Sequence, residues 1–378
     1  MTEWRECKLK ELADFNPTSL TAKNNLKFIN YLDTGNITKG KINTIQYLNL
    51  LTDEVPSRAK RVVKKNDIVY STVRPNQEHY GIIKNPVDNM VVSTGFAVLR
   101  SKEDICYSDF LYYFLTLPEN TEYLSNVAED STTAYPAITP DVIMDMDIFL
   151  PSLPEQKAIA EVLSSLDDKI DLLTRQNKTL EDLGQAYFRK WFDDEKNVGR
   201  LGDYIQLFDN KRIPLSAMER EKKKDGKLYP YYGAATIMDY INDYIFDGEY
   251  ILLGEDGTVE TADGYPVLQY ATGKFWCNNH AHILQAKPPY TNYSLWFCLR
   301  QCTISHIVSG AVQPKINQQN LNSLEIPVPP QNVFDKINEI SGNIFSKILA
   351  NSEQIYTLQK LRDTLLPKLI SGEVRVKI

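Results

Sequence analysis

The residues that come nearest to a metal site lie in the second half of the chain. Cys277, His280 and His282 fall on one predicted strand, where the two histidines share a face, and Cys298 and Cys302 follow downstream. Structural zinc sites usually draw their ligands from CxxC-type pairs, and this chain contains no CxxC. The first half of the chain repeats this segment with aliphatic residues and glycine at the matching positions. We therefore predict core cysteines, hydrogen-bonded histidines and no metal site.

One short motif points to methyl transfer. Lys-Pro-Pro-Tyr at 287–290 resembles the Asp/Asn-Pro-Pro-Tyr loop of amino-methyltransferases, whose first residue accepts hydrogen bonds from the target amine. Lys287 has only donors, and the sequence has no glycine-rich cofactor loop, P-loop or Ser-His-Asp arrangement. We predict no catalytic residue and no cofactor in this chain. Methyl transfer at this loop stays open as an alternative, which requires that the isolated chain bind S-adenosylmethionine.

Polar and basic loops are the candidates for binding DNA. Arg74, Asn76 and Gln77 follow a predicted strand, and these side-chain types hydrogen-bond guanine and adenine edges bidentately. The small polar loops 131–136 and 309–315 match each other, and the basic clusters 58–65 and 220–227 form local positive patches. The candidate DNA-binding residues are Arg58, Lys60, Arg61, Arg74, Asn76, Gln77, Thr132, Thr133, Tyr135, Lys222, Lys223, Lys224, Ser309, Gln313 and Lys315.

Composition limits what these residues can do. The chain has 378 residues, with 42 Lys and Arg against 49 Asp and Glu, which gives a net charge of −7. A simple basic nucleic-acid binder has the opposite balance, so DNA binding requires local positive patches or a partner that supplies charge. The hydrophobic share of 43% is typical of globular proteins. A charged start, no long apolar run and an odd number of cysteines predict a cytoplasmic protein without a membrane segment.

The elements that position the candidate residues repeat along the chain. Pro136-Ala137-Ile138 matches Pro314-Lys315-Ile316 at an offset of 178 residues, and 91–102 matches 276–287 at an offset of 185. The segment 110–115 also matches 294–299, at an offset of 184, so the repeat is a duplicated domain. Alternating and β-branched residues predict strands at 27–32, 67–73, 91–99, 146–150, 250–253, 275–284 and 324–328, with short helices at 109–117 and 292–301. The predicted fold class is α+β.

A long helix is predicted after each repeated domain. Apolar residues recur alternately every three and four positions over about four to five heptads, just after the proline-rich segments 151–156 and 327–331. If the helices pair antiparallel, Asn177 faces Asn351, and this polar pair fixes the register at some cost in stability. The predicted helix-pairing residues are Ile159, Leu163, Leu166, Ile170, Leu173, Asn177, Leu180, Ile337, Ile344, Ile348, Asn351, Ile355 and Leu358.

Three motifs flank or begin these helices. They are the Leu-Pro-x-x-Glu-Gln-Lys-x-Ile-Ala core within 150–170, the Leu-Arg-x-x-Leu-Leu-Pro-x-Leu-x-x-Gly-Glu ending within 358–374, and the segment 309–330. With them, the chain resembles the specificity subunits of type I restriction-modification systems over essentially its whole length. One departure is Phe334-Asp335, which stands where the first copy has Gln156-Lys157 and leaves the apolar seam intact.

The resemblance implies two duplicated target-recognition domains separated by two long antiparallel coiled-coil helices, with pseudo-twofold symmetry. The expected boundaries are 1–154 and 198–330 for the recognition domains, and 155–197 and 331–378 for the helical spacer regions. Each recognition domain would read one half of a bipartite double-stranded DNA target, with the helices setting the gap. Catalysis would lie in partners: a methyltransferase subunit, expected in two copies, that binds S-adenosylmethionine, and a restriction subunit that uses ATP and Mg.

A coiled-coil adaptor that binds other proteins through its globular ends is the alternative. It accounts better for the acidic balance and worse for the loops rich in Arg, Asn and Gln. Salt-dependent, sequence-selective DNA binding distinguishes the two functions, because phosphate contacts make affinity fall steeply with salt.

Overall fold

The computed structural model describes residues 4–21, 24–130, 136–192, 195, 197–310 and 312–377. The chain divides into a first unit, Met1–Asp171 with Tyr356–Ile378, and a second unit, Leu172–Ile355. Each of the two long helices is divided between the units, with one segment in the first unit and one in the second. No helix in the described part of the chain combines the length and the apolar character that crossing a bilayer needs.

The first unit packs helices against small, mostly antiparallel sheets. Its strands are β1 Arg5–Lys8, β2 Ala13–Phe15, β3 Phe28–Leu32, β4 Ile37–Thr38, β5 Lys41–Ile42, β6 Gln46–Asn49, β7 Ala59–Val62, β8 Ile68–Ser71, β9 Tyr80–Ile82, β10 Met90–Ser93, β11 Phe96–Ser101 and β12 Asp147–Leu150. Its short helices are α1 Leu9–Leu12, α2 Ser108–Leu115, α3 Pro118–Asp130 and α4 Pro140–Met144. The sheets have the orders β6-β3-β10-β7 and β2-β11-β8-β9, with β1 paired to β12 and β4 to β5.

The second unit gathers its main strands into one sheet, in the order β14-β19-β17-β18-β15-β16, with β13 paired to β20. These strands are β13 Val198–Arg200, β14 Ile205–Leu207, β15 Tyr229–Tyr232, β16 Ile237–Ile241, β17 Phe246–Gly254, β18 Leu268–Cys277, β19 Ala281–Ala286 and β20 Glu325–Pro327. The long helix α5, Leu153–Phe192, precedes them. The later helices are α6 Leu201–Tyr204, α7 Ala217–Glu221, α8 Asn292–Leu299, α9 Gln318–Ser323 and α10 Gln331–Ile370.

The two long helices pair within each unit. In the first unit, Ile159 and Leu163 of α5 share a core with Leu366 and Leu369 of α10. In the second unit, Asn351 Nδ2 donates to Asn177 Oδ1 at 2.9 Å, so the two asparagines do meet. Early residues of one helix contact late residues of the other, which makes the paired segments antiparallel.

The burial of the predicted helix-pairing residues follows the heptad seam. The buried ones are Ile159, Leu163, Ile170, Leu173, Ile337, Ile344, Ile348 and Asn351. The half-buried ones are Leu166, Asn177, Leu180, Ile355 and Leu358. Burial of one face of each helix, rather than helix propensity, accounts for most of the stability of such long helices.

Two predicted strands are wrong in extent, and for the same reason. The segment 91–99 is divided between β10 and β11, and 275–284 between β18 and β19. In the first turn Ser93 Oγ accepts from Gly95 N at 3.2 Å, and in the second Asn278 Oδ1 accepts from His280 N at 2.8 Å. Short polar side chains that bond the backbone two residues on favour turns over strands. The repeated domains therefore share this turn.

Candidate nucleic-acid interface

Backbone hydrogen bonds join three segments in the first unit. We call this set the first-unit junction; it comprises residues 72–74, 93–95 and 136–138. Thr72 N donates to Gly95 O and Ile138 N donates to Thr72 O, both at 2.8 Å. Arg74 N donates to Pro136 O at 2.9 Å. The junction thus fixes where the chain leaves β8 and enters the predicted DNA-binding loop.

The second unit builds the same junction, and the sequence repeat matches two of its three segments. The second-unit junction comprises residues 255–257, 278–280 and 314–316. Glu255 N donates to His280 O and Ile316 N donates to Glu255 O, both at 2.8 Å. Gly257 N donates to Pro314 O at 2.9 Å. Each bond has its counterpart in the first unit, so the two junctions share one backbone frame.

The side chains on this frame differ most at Arg74. Its backbone is left-handed, with φ 47° and ψ 67°, and its counterpart Gly257 has φ +77°. A non-glycine residue in this region costs about 1–2 kcal/mol, and strain of this kind collects at functional sites. Arg74, Asn76 and Gln77 are all exposed, the last two on the single turn Pro75–Gln77. The first-unit junction therefore presents these three predicted side chains together.

Arg58 lies beside the same junction. Its carbonyl accepts from Thr94 N at 2.8 Å. Arg58 also borders an open, polar cavity of about 400 Å³, which Asn36 and Gln46 help to line. Sequence reasoning missed these two amides, because isolated Asn and Gln residues on separate segments carry no pattern until the fold gathers them.

Two further basic residues of the cluster 58–65 lie on an edge strand. Lys60 and Arg61 are on β7, at the edge of the sheet β6-β3-β10-β7. Lys60 is exposed, whereas Arg61 is half-buried, and burial lowers the pKa of its guanidinium. Arg61 Nε has no hydrogen-bond partner among the described residues. Arg58 thus borders the cavity, whereas Lys60 and Arg61 lie on the edge strand.

The second-unit junction brings Ser309, Gln313 and Lys315 together on one exposed loop. Ser309 N donates to Lys315 O at 2.8 Å, and Lys315 N donates to Ser309 O at 2.7 Å. The Lys315 side chain is half-exposed, with Nζ 3.4 Å from Glu255 Oε1. Beside it, exposed His280 is paired with Asp256. This surface therefore mixes both signs of charge.

A buried polar cluster supports this loop. His282 is fully buried, with Nδ1 2.6 Å from Asp209 Oδ2 and Nε2 2.8 Å from Ile316 O. Ile283 N and Gln318 Nε2 donate to the Asp209 carboxylate at 2.9 and 2.7 Å. Burial opposes ionisation of Asp209, but the hydrogen bonds from His282, Ile283 and Gln318 outweigh it and lower the pKa of this carboxyl. The predicted hydrogen-bonded histidine is confirmed for His282.

The same cluster has the spacing of a possible metal site. Ligand atoms of Asp209, Glu255 and His282 lie within 4.8 Å of one another. Arg212, however, donates to Glu255 at 2.5 Å and to Ala281 O at 2.7 Å. A metal ion would have to displace this paired, largely buried cation, at a high cost in free energy. We therefore interpret the cluster as an ion-paired support.

The basic cluster 220–227 is largely neutralised within the second unit. Lys223 Nζ lies 2.8 Å from Asp243, and Lys224 pairs with Asp239 of β16. Lys222 is exposed. The acidic partners of Lys223 and Lys224 lie outside the basic cluster in the sequence, so the cluster alone does not predict these ion pairs. These ion pairs hold the segment after α7 against β16 and the residues that follow it.

Two other sequence predictions have different outcomes. Thr132, Thr133 and Tyr135 lie outside the described residues. The Lys-Pro-Pro-Tyr motif lies in the second unit, where Tyr290 is 3% exposed and its ring centre is 4.7 Å from that of Phe334. Packing therefore accounts for the tyrosine of this motif.

Comparison with known families decides the assignment. The model of the type I restriction modification DNA specificity domain matches residues 1–182 and 193–359. The chain belongs to this family. Two copies of one domain model match the repeat found in the sequence, and the predicted α+β fold with repeated domains and two long helices is confirmed.

Individual relatives agree with the family assignment. The chain is 25% identical to the type I restriction enzyme HindI specificity subunit of Haemophilus influenzae, over 99% of this chain and 100% of that protein. It is 26% identical to the MjaIX specificity subunit of Methanocaldococcus jannaschii, over 87% of this chain and 82% of that protein. These names confirm the prediction of a specificity subunit and not an enzyme.

A solved structure agrees on the fold. The crystal structure of the type I restriction-modification S subunit from M. genitalium matches with a TM-score of 0.58 at 17% identity. The match covers 97% of this chain and 96% of that one.

Proposed function

We propose that this chain recognises a bipartite double-stranded DNA target, with one half-site read at each junction. One observation carries the proposal: the two junctions share three backbone hydrogen bonds and present different polar side chains. A common frame with different polar groups suits the reading of different base edges. The two half-sites should therefore differ in sequence.

At the first-unit junction the exposed groups suit purines. An Arg pairs bidentately with guanine, and Asn or Gln with adenine, each worth about 1–3 kcal/mol of discrimination. Arg74, Asn76 and Gln77 supply these groups from one turn. At the second-unit junction Lys315 supplies the cation, with Gln313 and Ser309 on the same loop.

Catalysis belongs to partner subunits in this proposal. This chain would scaffold a methyltransferase subunit in two copies, which binds S-adenosylmethionine, and a restriction subunit that uses ATP and Mg. Large apolar side chains are exposed on the long helices, among them Leu172 and Leu183 of α5 and Tyr356 of α10. Such side chains suit docking of another protein. Partner surfaces would also supply positive charge that the acidic chain lacks.

The direct test is to co-express the chain with the methyltransferase subunit of its own system in a methylation-free host, and to map modified adenines genome-wide. We expect a split motif with a constant gap. A contiguous motif, or no modification despite a soluble complex of the two proteins, would contradict the proposal. Binding that is insensitive to salt and sequence would favour the adaptor function instead.

A further inference from the structure

The second unit contains a buried histidine whose two ring nitrogens both make hydrogen bonds. His282 Nε2 lies 2.8 Å from Ile316 O, and a carbonyl oxygen can only accept. Nδ1 lies 2.6 Å from a carboxylate oxygen of Asp209, which also receives Gln318 Nε2 at 2.7 Å. His282 thus links the Asp209 carboxylate to the Ile316 backbone inside the core. We call these two side chains the buried His–Asp pair.

The fold itself does not require this pair. In the first unit, Asn16 Oδ1 accepts from Val98 N at 2.9 Å, as Asp209 Oδ1 accepts from Ile283 N at 2.9 Å. The residue that matches His282 is Ala97, which is fully buried and has no polar side-chain atom. The first unit therefore builds the same sheet contact with an amide and a methyl group.

The buried His–Asp pair supports one loop of the second unit. His282 bonds the carbonyl of Ile316, and Asp209 bonds the side chain of Gln318. Ile316 lies directly after Lys315, on the loop that also carries Gln313, and Gln318 begins α9 just beyond it. Hydrogen bonds of His282, Asp209 and Gln318 thereby hold the end of this loop against the sheet.

We infer that His282 and Asp209 are positioning residues for recognition of the second half-site. The inference rests on the proposed function and deepens it. Both side chains are buried, so they do not touch DNA; they hold the backbone that presents Lys315 and Gln313. Loss of this support should broaden the bases accepted in one half-site and leave the other half-site unchanged.

The chain itself supplies the variant that separates positioning from folding. His282→Ala combined with Asp209→Asn reproduces the Ala97 and Asn16 arrangement of the first unit, which packs and satisfies the backbone. Gln318→Ala is a second, milder variant, because Gln318 is exposed and its loss removes one anchor without opening the core. Arg74→Ala serves as the matched control in the other unit.

The experiment selects from a library of randomised DNA duplexes, using the full chain in complex with its methyltransferase subunit, and sequences the bound pool. We expect the wild type to enrich a split motif and the double variant to keep one half. Base preference in the other half should fall about tenfold or more, the scale of a lost base contact. Arg74→Ala should affect the opposite half, and Gln318→Ala should weaken the same half as the double variant, by less.

Several results would overturn the inference. Unchanged base preference in both halves for the double variant would show that the buried His–Asp pair positions nothing. Equal loss in both halves would show a general defect of the fold. If the double variant fails to fold, unchanged preference in Gln318→Ala decides against the inference. A wild-type pool with no split motif would instead remove the proposed function, and the positioning role with it.

Discussion

In both units the globular part contacts the long helices at matching positions. These contacts are polar in the first unit and apolar in the second. In the first unit Tyr113 Oη donates to Asp167 of α5 at 2.7 Å, and Arg362 of α10 donates to the same carboxylate at 2.8 Å. The repeat relates these three residues to others in the second unit, at offsets of 184 for the tyrosine and 178 for the helices. The second-unit set is Phe297, Phe345 and Gly184.

The second-unit set makes no polar contact. The rings of Phe297 and Phe345 are 5.5 Å apart, and a Cβ added to Gly184 would lie 2.3 Å from the ring of Phe297. The phenylalanine ring therefore occupies the space that any side chain at 184 would need. Each set works only as a set: a hydroxyl needs its acceptor, and the ring needs the glycine. The same fold thus accommodates a polar set in one unit and an apolar set in the other.

The largest effect should come from emptying the apolar set. Phe297→Ala removes a fully buried ring and should lower the free energy of unfolding by about 3–5 kcal/mol. Tyr113→Phe in the first unit should cost only about 1 kcal/mol, because Asp167 keeps its bond from Arg362. Denaturant unfolding of both variants measures the contrast. Equal losses would contradict the distinction between the two sets.

Overfilling the apolar set should have the next largest effect. Gly184→Ala places a methyl group against Phe297 and should destabilise by about 1–3 kcal/mol, although alanine favours helices. Gly342→Ala on α10 is the control, since its Cβ would meet nothing within 4 Å. This control should gain up to about 1 kcal/mol. Thermal unfolding of the Gly184→Ala and Gly342→Ala variants measures both changes in stability. A stabilised Gly184→Ala protein would contradict the close packing of Phe297 on Gly184.

The junctions predict a smaller, reciprocal effect on stability. Arg74→Gly relieves a left-handed backbone and should stabilise the chain by about 1 kcal/mol, whereas Gly257→Ala should destabilise it by about 1–2 kcal/mol. Open space surrounds Gly257, so the loss would come from backbone strain alone. Stability curves in denaturant test both variants. If Arg74→Gly were destabilising, the side chain would be holding the fold rather than facing a ligand.

The smallest effect concerns acid. The folded-state pKa of Asp209 lies below its usual range because hydrogen bonds from His282, Ile283 and Gln318 outweigh burial. Its stabilising contribution is therefore present above the unfolded-state carboxyl pKa of about 3.9, and is lost as pH falls through the lower folded value. The difference in unfolding free energy between wild type and Asp209→Asn should shrink as pH falls below about 4. A constant difference from pH 7 to pH 3 would exclude this linkage.

Much of the architecture could be predicted from the sequence, because it rests on periodic patterns. The seam of the long helices repeats every seven residues, and the match of Pro136-Ala137-Ile138 to Pro314-Lys315-Ile316 located two equivalent junctions. The turns at 93–95 and 278–280 were missed, because apolar residues flank them on both sides. Their only sequence signal is a short polar side chain, Ser93 or Asn278, that bonds the backbone two residues on.

The site residues were harder to predict, because their partners lie far apart in sequence. The charge run at 220–227 suggested a DNA-binding patch, yet Lys223 and Lys224 pair with Asp243 and Asp239. The support of the 309–315 loop by Asp209 and His282 depends on contacts across 34 to 109 residues, which no local pattern shows. The left-handed backbone of Arg74 has no sequence signal either, since Arg carries no preference for it.

One measurement tests the central claim, that each junction reads its own half of a split target. Arg74→Gly keeps the backbone frame, because the second unit already uses Gly257 there. Methylated adenines should be mapped genome-wide for this variant and the wild type, each with the methyltransferase subunit. The account predicts that base preference relaxes in one half of the motif, while the other half and the gap stay unchanged. An unchanged motif, or loss of both halves in a folded complex, would contradict it.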